Sequence, residues 1–455
     1  MTAIQAITER MQRIGMPPLA IDSFLTQYDK LAKGFTGFLD RTMIQPVESL
    51  PGAESLEQHT GAGQAALRKT LIIKLNGGLG TSMGLDRTKS LLVVKNGLTF
   101  LDVVIGQVQH LRRSAGSRTP LILMNSFNTD EETRAALNSH EEEPLTFVQH
   151  QVPKIRQDNL QPVDWPADRA REWCPPGHGD IYPALVTSGL LARLLTDGYE
   201  YAFVSNIDNL GATVSLPILG YFAAENIPFL MEVTPRTEAD RKGGHLAHLK
   251  GGGLILRESA QCPDTEKDEF QDIRKYKYFN TNNLWINLKA LKGQLDRHGH
   301  FMELPLIINR KPVDPADPKS TPVFQLETAM GAAISIFKDA RAVCVPRARF
   351  APVKTTNDLL ALWSDAYTLS DDMHVNLHPA RKGRPVVVHL DPAFFGAYDN
   401  LRARVPDGVP SLLNCDGLTV KGDFKFGRNV AVKGSVVLEN AGPRQKLIED
   451  GTILK

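Results

Sequence analysis

The chain has 455 residues, a length that favours two or three domains, and its 42% hydrophobic and 23% charged content is typical of a soluble globular protein. Because 52 basic residues face 51 acidic ones, the formal net charge of +1 excludes a global basic field for nucleic acid, and any anion must bind at a local site. The four cysteines form no Cys-x-x-Cys pair, which argues against a zinc site or a disulfide framework. No apolar leader opens the chain and no run approaches the roughly 20 apolar residues of a membrane span, so a cytoplasmic protein without a membrane partner is expected.

Residues 1–65 are predicted to form an N-terminal helical segment. Ile4, Ile7 and Met11 recur at helical spacing, whereas the polar stretch 54–63 is predicted to be a linker or a surface turn. The segment carries no recognisable chemistry, and its expected role is packing.

From Lys69 onward, strand and helix patterns alternate. Thr99, with Asp102 three residues later, predicts the start of a capped helix. This alternation predicts an α/β domain over residues 66–375 with a mixed, mainly parallel sheet, whose ligands gather where the strands end. The predicted strands cover 71–75, 91–94, 121–124, 145–148, 201–205 and 229–233, and further helices are predicted over 130–139 and 183–195.

The tail, residues 376–455, has a period of six. Leu418, Phe424, Val430 and Val436 form one apolar series. A six-residue period predicts a short parallel β-helix, although a β-meander also fits three visible rungs. A second series, two residues on, consists of Val420, Phe426, Val432 and Leu438.

The stretch richest in chemistry is 74–84 (KLNGGLGTSMG), which follows an apolar strand and precedes Lys89. Its four glycines between 77 and 84 allow a turn that presents several N–H groups to an anion, and the lysine can reach the same anion. The spacing fits neither a P-loop nor a Rossmann fingerprint. It therefore predicts a cradle for nucleotide phosphates, with a glycine loop that binds no ligand as the alternative.

Residues 75–84 closely resemble the signature loop of the UTP–glucose-1-phosphate uridylyltransferases, and Lys89 falls on the lysine that closes this signature. The resemblance extends to the C-terminus and implies a Rossmann-like nucleotidyltransferase domain followed by a small left-handed parallel β-helix. Further blocks that resemble the family, in the family's order, are 148–155 (VQHQVPKI), 175–180 (PPGHGD), 205–212 (SNIDNLGA), 242–246 (KGGHL), 280–285 (NTNNLW), 326–331 (LETAMG) and 350–360 (FAPVKTTNDLL).

Nucleotidyl transfer needs positioning and charge neutralisation rather than a catalytic triad. By resemblance, Lys89 and Lys354 are the catalytic residues and Asp208 is the ligand of a Mg²⁺ cofactor. From the residues alone, Lys89 also fits a solvated surface lysine and Asp208 an Asx turn. Thr356 or Asn357 is predicted to cap the helix behind Lys354. The predicted nucleotide-binding residues are Leu75, Asn76, Gly77, Gly78, Gly80, Thr81, Gln149, Gly177, Asn206 and Asp208.

Base and sugar selection are expected from neutral polar groups. Gln149 matches the uracil-reading glutamine of the family, and its amide can meet both a donor and an acceptor of the base. His178 is predicted to contact phosphate or sugar rather than to act as a base, because a phosphate oxygen is already a nucleophile. From sequence alone, residues 280–283 also fit a polar turn before a strand. The predicted substrate-binding residues are His178, Gly244, Asn280, Asn282, Asn283 and Glu327.

The resemblance thus implies an Mg²⁺-dependent uridylyltransferase that converts UTP and glucose 1-phosphate into UDP-glucose and pyrophosphate, reversibly. Two alternatives stay open: a related enzyme with another or a broader choice of sugar 1-phosphate, and a non-catalytic regulatory or assembly subunit. Residues 85–88 (LDRT) depart from the family, since Asp86 adds negative charge near the phosphates. Exposed β-helix edges make a homo-oligomer through the C-terminal domain a further expectation.

Overall fold

The computed structural model of the chain describes residues 2–141, 144–315 and 317–455. Over these residues the α-helices are α1 (Ala3–Arg13), α2 (Pro18–Ala32), α3 (Thr60–Leu67), α4 (Phe100–Ala115), α5 (Asp130–Leu137), α6 (Ile181–Thr187), α7 (Leu190–Thr196), α8 (Leu216–Ala224), α9 (Lys267–Phe270), α10 (Leu288–Arg297), α11 (Thr356–Trp363), α12 (Pro392–Phe395) and α13 (Tyr398–Arg404). The strands are β1 (Ile44–Pro46), β2 (Thr70–Asn76), β3 (Val93–Lys95), β4 (Leu98–Thr99), β5 (Leu121–Asn125), β6 (Leu145–Val148), β7 (Val152–Pro153), β8 (Ile155–Arg156), β9 (Trp173–Cys174), β10 (Tyr201–Asn206), β11 (Phe229–Pro235), β12 (His245–Leu249), β13 (Leu254–Arg257), β14 (Tyr278–Asn287), β15 (Leu306–Pro312), β16 (Pro322–Thr328), β17 (Arg341–Cys344), β18 (Tyr367–Leu369), β19 (Val375–Leu377), β20 (Val387–Leu390), β21 (Ser411–Lys421), β22 (Phe424–Phe426), β23 (Ala431–Glu439), β24 (Lys446–Ile448) and β25 (Ile453–Leu454).

A mixed central sheet organises the fold. Strands β6, β5, β2 and β10 pair in parallel, so their carboxyl ends lie along one edge. Beyond β10 the long strand β14 runs antiparallel and pairs with β11 and β12, while β17 pairs with β11 in parallel. The predicted α/β architecture is confirmed, and the loops after β2, β5 and β10 emerge at the same edge, as expected.

Each face of this sheet is covered by helices, which is why the middle of its central strand is an apolar run. Along β2, which is buried at every position, Leu71 and Ile73 belong to one hydrophobic cluster and Ile72 to the other. Leu185 of α6 and Leu291 of α10 pack in the first cluster. Helices α4, α8 and α11 contribute to the second cluster, which continues into the C-terminal strands.

Several predicted elements differ from the structure. The stretch 183–195 forms two helices, α6 and α7, because Gly189 between them has a φ of +72°. The polar stretch 54–63 is a 3₁₀ helix followed by α3 rather than a linker. The second of its two glycines, Gly63, lies so close to α8 that an added Cβ would stand 1.9 Å from the carbonyl oxygen of Leu216. The glycine therefore serves close packing and not flexibility.

The helix predicted after Thr99 is confirmed as α4. The Thr99 hydroxyl accepts from the Asp102 N–H at 3.1 Å, and the Asp102 carboxylate accepts from the Thr99 N–H at 2.8 Å. The strand predicted over 91–94 is confirmed only in its second half, since Val93 and Val94 lie in β3, whereas Leu91 ends a 3₁₀ turn, Lys89–Leu91.

At the N-terminus, α1 and α2 pack through Ile7, Met11 and Phe24 onto strands that include β8 and β15. At the C-terminus, β20, β21, β23 and β25 pair in parallel, as do β22 and β24. Both six-residue series are turned inward, apart from the half-buried Leu438. None of the helices in the described part of the chain is both long and apolar enough to cross a bilayer.

Candidate active site

The glycine loop begins where β2 ends and folds back on itself. The N–H of Gly80 donates to the carbonyl of Arg87 at 3.3 Å, and the N–H of Lys89 donates to the carbonyl of Gly78 at 3.2 Å. A 3₁₀ turn at Thr81–Met83 ends at Gly84, whose φ of +67° suits glycine. The loop thus brings Lys89 back to the point where the loop begins, near Gly78, while Thr81 is exposed on the 3₁₀ turn.

Lys89 contacts Asp208, which lies in the turn directly after β10. The lysine Nζ lies 2.5 Å from Asp208 Oδ2, and the two side chains are only 13% and 18% exposed. Asp208 Oδ1 is buried and has no hydrogen-bond partner among the described residues. The two loops meet because β2 and β10 are parallel neighbours, with Leu75 opposite Asn206.

The free oxygen of Asp208 fits a divalent cation. In the described part of the chain, no cluster of three or more His, Cys, Asp or Glu residues could hold a metal ion. A Mg²⁺ ion is commonly held by one or two carboxylates together with substrate phosphates and water. Asp208 is therefore suited to share a Mg²⁺ with a bound triphosphate, and not to hold one in a cage of protein ligands.

The segment that carries Lys354 is joined to the same loop. The N–H of Val353 donates to the Asp208 carbonyl at 3.4 Å, and Asn209 bridges to Pro352. The Lys354 ammonium lies 5.7 Å from the ring centre of Phe350 and 6.0 Å from that of Phe279. Lys354 thus stands beside the loop that carries Asp208.

The predicted N-cap of the helix behind Lys354, Thr356 or Asn357, is wrong, by one or by two residues. Thr355, with extended backbone, is the N-cap of α11, and its hydroxyl and N–H both lie within hydrogen-bond distance of Asp358 Oδ2. Thr356 is already helical, and Asn357 Oδ1 accepts instead from the N–H of Leu390. The N–H of Lys354 also donates to Asp358, at 2.9 Å.

Gln149 lies against the glycine loop from the other side. A Cβ added to Gly77 would stand 2.4 Å from Gln149 Nε2, so only glycine leaves room for this amide. Asn76, by contrast, uses its side-chain N–H groups within the protein, on Asn125 Oδ1 and Thr133 Oγ1. Contacts therefore run from Gln149 through the glycine loop to Lys89 and Asp208.

The turn 177–180 is pressed onto the end of β16. Gly177 has a φ of +82°, and an added Cβ would lie 2.5 Å from the carbonyl oxygen of Thr328 and 3.0 Å from the Cβ of Glu327. His178 Nδ1 accepts from the N–H of Met330 at 3.0 Å. Burial lowers the pKa of His178 to about 4, so the ring is neutral at pH 7 and its Nε2 carries the hydrogen. Such a ring is a weak base but a good donor to an oxygen.

Residues 280–283 lie inside β14 and do not form a turn before a strand. Asn280 and Asn282 bond to each other through Asn280 Nδ2 and Asn282 Oδ1 at 2.8 Å, and Asn282 has a φ of +58°. Asn280 Nδ2 also lies near Gly331, where an added Cβ would approach it to 3.2 Å. Since Gly331 follows Met330, which is bonded to His178, these predicted sugar-side groups are neighbours.

Asn283 is engaged elsewhere. Its Nδ2 donates to Glu232 Oε2 at 3.0 Å, and its Oδ1 accepts from Asn209 at 3.2 Å. Arg349 binds the same glutamate through two hydrogen bonds of 2.7 and 2.8 Å. This buried network holds the Asp208 loop onto the sheet.

The sequence interpretation missed two further ionisable groups near the site, Lys74 and Glu258. Lys74 is buried, donates to Ser205 and to the carbonyl of Ala212, and burial lowers its pKa to about 7. Burial also raises the pKa of Glu258 to about 7, partly offset by Lys354, and raises that of Glu327. The signal available for Lys74 was a charge inside an apolar strand, which needs a buried partner.

Gly244, a predicted substrate-binding residue, lies beside Glu258. A Cβ added to Gly244 would stand 2.5 Å from Glu258 Oε2. The loop that resembles the family's nucleotide-side loop is therefore held against the partly buried carboxyl group of Glu258, which the sequence analysis did not predict.

Comparisons with known proteins identify the family of the chain. Residues 21–433 match the family model described as UTP–glucose-1-phosphate uridylyltransferase. The chain is 39% identical over 453 residues to the probable UTP–glucose-1-phosphate uridylyltransferase of Schizosaccharomyces pombe, covering 96% of this chain and 88% of the relative. It is 43% identical over 419 residues to the enzyme of that name from Hordeum vulgare, covering 91% and 85%.

Two solved structures share the whole fold. A UDP-glucose phosphorylase from Trypanosoma brucei has a TM-score of 0.93 at 47% identity, covering 99% of this chain and 98% of its own. A mutant UDP-glucose pyrophosphorylase from Leishmania major, crystallised with UDP-glucose, has a TM-score of 0.93 at 45% identity, covering 100% and 98%. The chain therefore belongs to the UTP–glucose-1-phosphate uridylyltransferase family.

Proposed function

We infer that the chain transfers the uridylyl group of UTP to glucose 1-phosphate, giving UDP-glucose and pyrophosphate in a reversible reaction. The observation that carries this inference is the contact between Lys89 and Asp208 at the sheet edge where the glycine loop lies. The relatives that match nearly the whole chain are UTP–glucose-1-phosphate uridylyltransferases by name.

In the proposed reaction an oxygen of glucose 1-phosphate attacks the α-phosphorus of UTP in line with the departing group. The bond between the α-phosphorus and its bridging oxygen breaks, and pyrophosphate leaves. The protein forms no covalent bond in this scheme, so its contribution is orientation and charge stabilisation.

The roles of the charged groups follow from their positions. Lys89 stabilises the phosphates that leave, helped by the N–H groups of residues 77–84, and Lys354 stabilises the phosphates that react. A Mg²⁺ ion shared between Asp208 Oδ1 and the triphosphate would supply further neutralisation of phosphate charge. The partner-free Oδ1 supports this role of Asp208.

Selection of base and sugar is proposed for the neutral groups. Gln149 reads uracil while packed on Gly77, and Gly177 lets the backbone approach the base. His178, neutral and with its hydrogen on Nε2, holds a phosphate or hydroxyl oxygen. Asn280, together with Asn282, Gly244 and Glu327, surrounds the sugar.

Neither alternative is favoured. A non-catalytic subunit has no need of two lysines and an aspartate brought to one edge, which this chain retains. A different sugar 1-phosphate has no support in the names of the relatives, all of which specify glucose.

We further propose that the tail forms a short left-handed parallel β-helix that serves self-association. The register pairs Leu418 with Val436 and Val420 with Leu438, an offset of 18 residues that corresponds to one coil of three six-residue sides. Exposed Val437 and Ile453 offer an apolar contact for a second copy. A cytoplasmic location is supported by four free cysteines, which suit a reducing compartment.

A pyrophosphate-release assay tests the proposed function across UTP, CTP, ATP and several sugar 1-phosphates, with and without Mg²⁺. Rapid release is expected only with UTP, glucose 1-phosphate and Mg²⁺, and Lys354→Ala is expected to remove it without unfolding the protein. Absence of release with every pair of substrates would overturn the proposal, and full UTP binding without turnover would favour the non-catalytic subunit.

A further inference from the structure

A buried chain of hydrogen bonds lies next to Gln149, the residue proposed to read the base. His150 Nδ1 is 2.9 Å from Asp180 Oδ1, and His150 Nε2 is 2.9 Å from the hydroxyl of Thr187. The His150 backbone N–H also donates to Asp180 Oδ2, at 2.6 Å. His150 and Asp180 are only 5% and 6% exposed, so water cannot replace these contacts freely.

The carboxylate fixes the direction of one of the two ring bonds. An ionised carboxylate only accepts, so Nδ1 of His150 carries a hydrogen and donates to Asp180. Nε2 pairs with the Thr187 hydroxyl, whose other partner, the carbonyl of Ala184, is more distant at 3.4 Å. The ring is thus held at both nitrogens.

Two members of this chain of hydrogen bonds, His150 and Asp180, lie close in sequence to residues of the proposed site. His150 directly follows Gln149, whose amide packs on Gly77. Asp180 lies two residues after His178, in the turn that is pressed onto Thr328. Among the described residues, the hydrogen bonds between segments 149–150 and 177–180 all come from His150.

We propose that His150 is a positioning residue for base selection: its ring fixes the Gln149 peptide relative to the His178 turn, so that uracil and the sugar phosphate are held in one set geometry. This proposal rests on the proposed function, in which Gln149 reads the base. The ring contacts the Asp180 carboxylate and the Thr187 hydroxyl, so it acts on base selection through Gln149 and not directly.

A side-chain substitution isolates the ring, because the backbone N–H of residue 150 remains. His150→Ala leaves Asp180 Oδ1 and the Thr187 hydroxyl without their partner. Gln149 then loses its fixed orientation, while Lys89, Asp208 and Lys354 keep theirs. The expected defect is therefore in discrimination of the base and not in the transfer step.

The test measures kcat and KM for UTP and for CTP, with saturating glucose 1-phosphate and Mg²⁺. For His150→Ala we expect the UTP-to-CTP ratio of kcat/KM to fall about tenfold, with kcat for UTP within about threefold of wild type. His150→Asn, whose Nδ2 can donate to Asp180, is expected to restore the ratio to within about threefold. In a Gln149→Ala background, His150→Ala is expected to leave the ratio unchanged, because the reading group is already absent.

An unchanged ratio in His150→Ala, no rescue by His150→Asn, or independent effects in the double variant would each overturn the proposal. If His150→Ala does not fold, Thr187→Val decides, since it removes one partner of the ring and keeps the shape: an unchanged ratio overturns the proposal and a lowered ratio supports it. A wild-type protein that makes no UDP-glucose refutes the proposed function itself, which is a different result from an active enzyme whose selectivity does not move.

Discussion

Replacement of Asp208 by asparagine separates catalysis from folding. The change keeps the shape of the side chain but removes the charge that faces Lys89 Nζ at 2.5 Å, and it leaves one oxygen where the carboxylate has two, so Lys89 and Mg²⁺ can no longer have one each. A charge-assisted hydrogen bond contributes about 1.5–3 kcal/mol, so the free energy of unfolding is expected to fall by about 2 kcal/mol. Loss of charge stabilisation at the phosphates is expected to cost about 4 kcal/mol in the transition state, a fall in kcat of roughly 10³.

The assay follows pyrophosphate release by Asp208→Asn over a range of Mg²⁺ concentrations, with thermal unfolding measured on the same sample. Asp86→Asn is the matched control, because it removes an equal charge from an exposed position of the adjacent loop. The control is expected to retain kcat within about threefold, since an exposed charge is screened by solvent. A kcat of Asp208→Asn close to wild type, or an equal loss in both variants, would refute this reasoning.

Three further outcomes follow. Gly77→Ala is expected to raise the KM for UTP about tenfold by displacing the Gln149 amide, whereas Gly293→Ala, with open space around its Cα, should not change it. Because burial lowers the pKa of His178 from 6.5 to about 4, the stabilising effect of the neutral ring is present above pH 6.5 and is lost as the pH falls to 4. Over this range the unfolding free energy of His178→Gln, measured by chemical denaturation, should therefore fall by about 1–3 kcal/mol less than that of the wild type. The pKa of Glu258 is raised from 4.5 to about 7, so the stabilising effect of its protonated carboxyl group is present below pH 4.5 and is lost as the pH rises through 7. Glu258→Gln should therefore be more stable than the wild type at pH 8, by on the order of 2 kcal/mol, and should have a similar stability at pH 4.5. If the unfolding free energies of a variant and of the wild type depend on pH in the same way, the argument for that residue, His178 or Glu258, is contradicted.

The parallel half of the sheet was predictable because its strands are continuous apolar runs. β2, β5 and β10 are buried on both faces, and only apolar side chains fill such positions without partners. The edge at which the loops meet then follows from parallel pairing. Lys89 and Asp208 could be assigned to one edge for this reason.

The antiparallel half was not predictable in the same way. β14 contains buried asparagines whose polar groups are satisfied by distant partners, such as Glu232 for Asn283. No local pattern distinguishes this from a polar turn. The pairing of His150 with Asp180, 30 residues apart, is equally invisible in the sequence.

Glycines were the most ambiguous residues. At Gly77 and Gly177 a side chain would meet the neighbouring segment, so both glycines allow a close approach. Gly63 lies in a stretch that predicts a linker, yet it lets α3 touch the chain at Leu216. Only the position of the neighbouring element separates these two uses.

One measurement tests the central claim most directly: a single turnover with UTP, Mg²⁺ and glucose 1-phosphate that carries ¹⁸O in its phosphate oxygens, with the products analysed by mass spectrometry. If a sugar phosphate oxygen attacks the α-phosphorus at the edge that holds Lys89 and Asp208, all of the label appears in UDP-glucose and none in pyrophosphate. Label in pyrophosphate or in free phosphate, or a turnover that yields no UDP-glucose, would contradict the account.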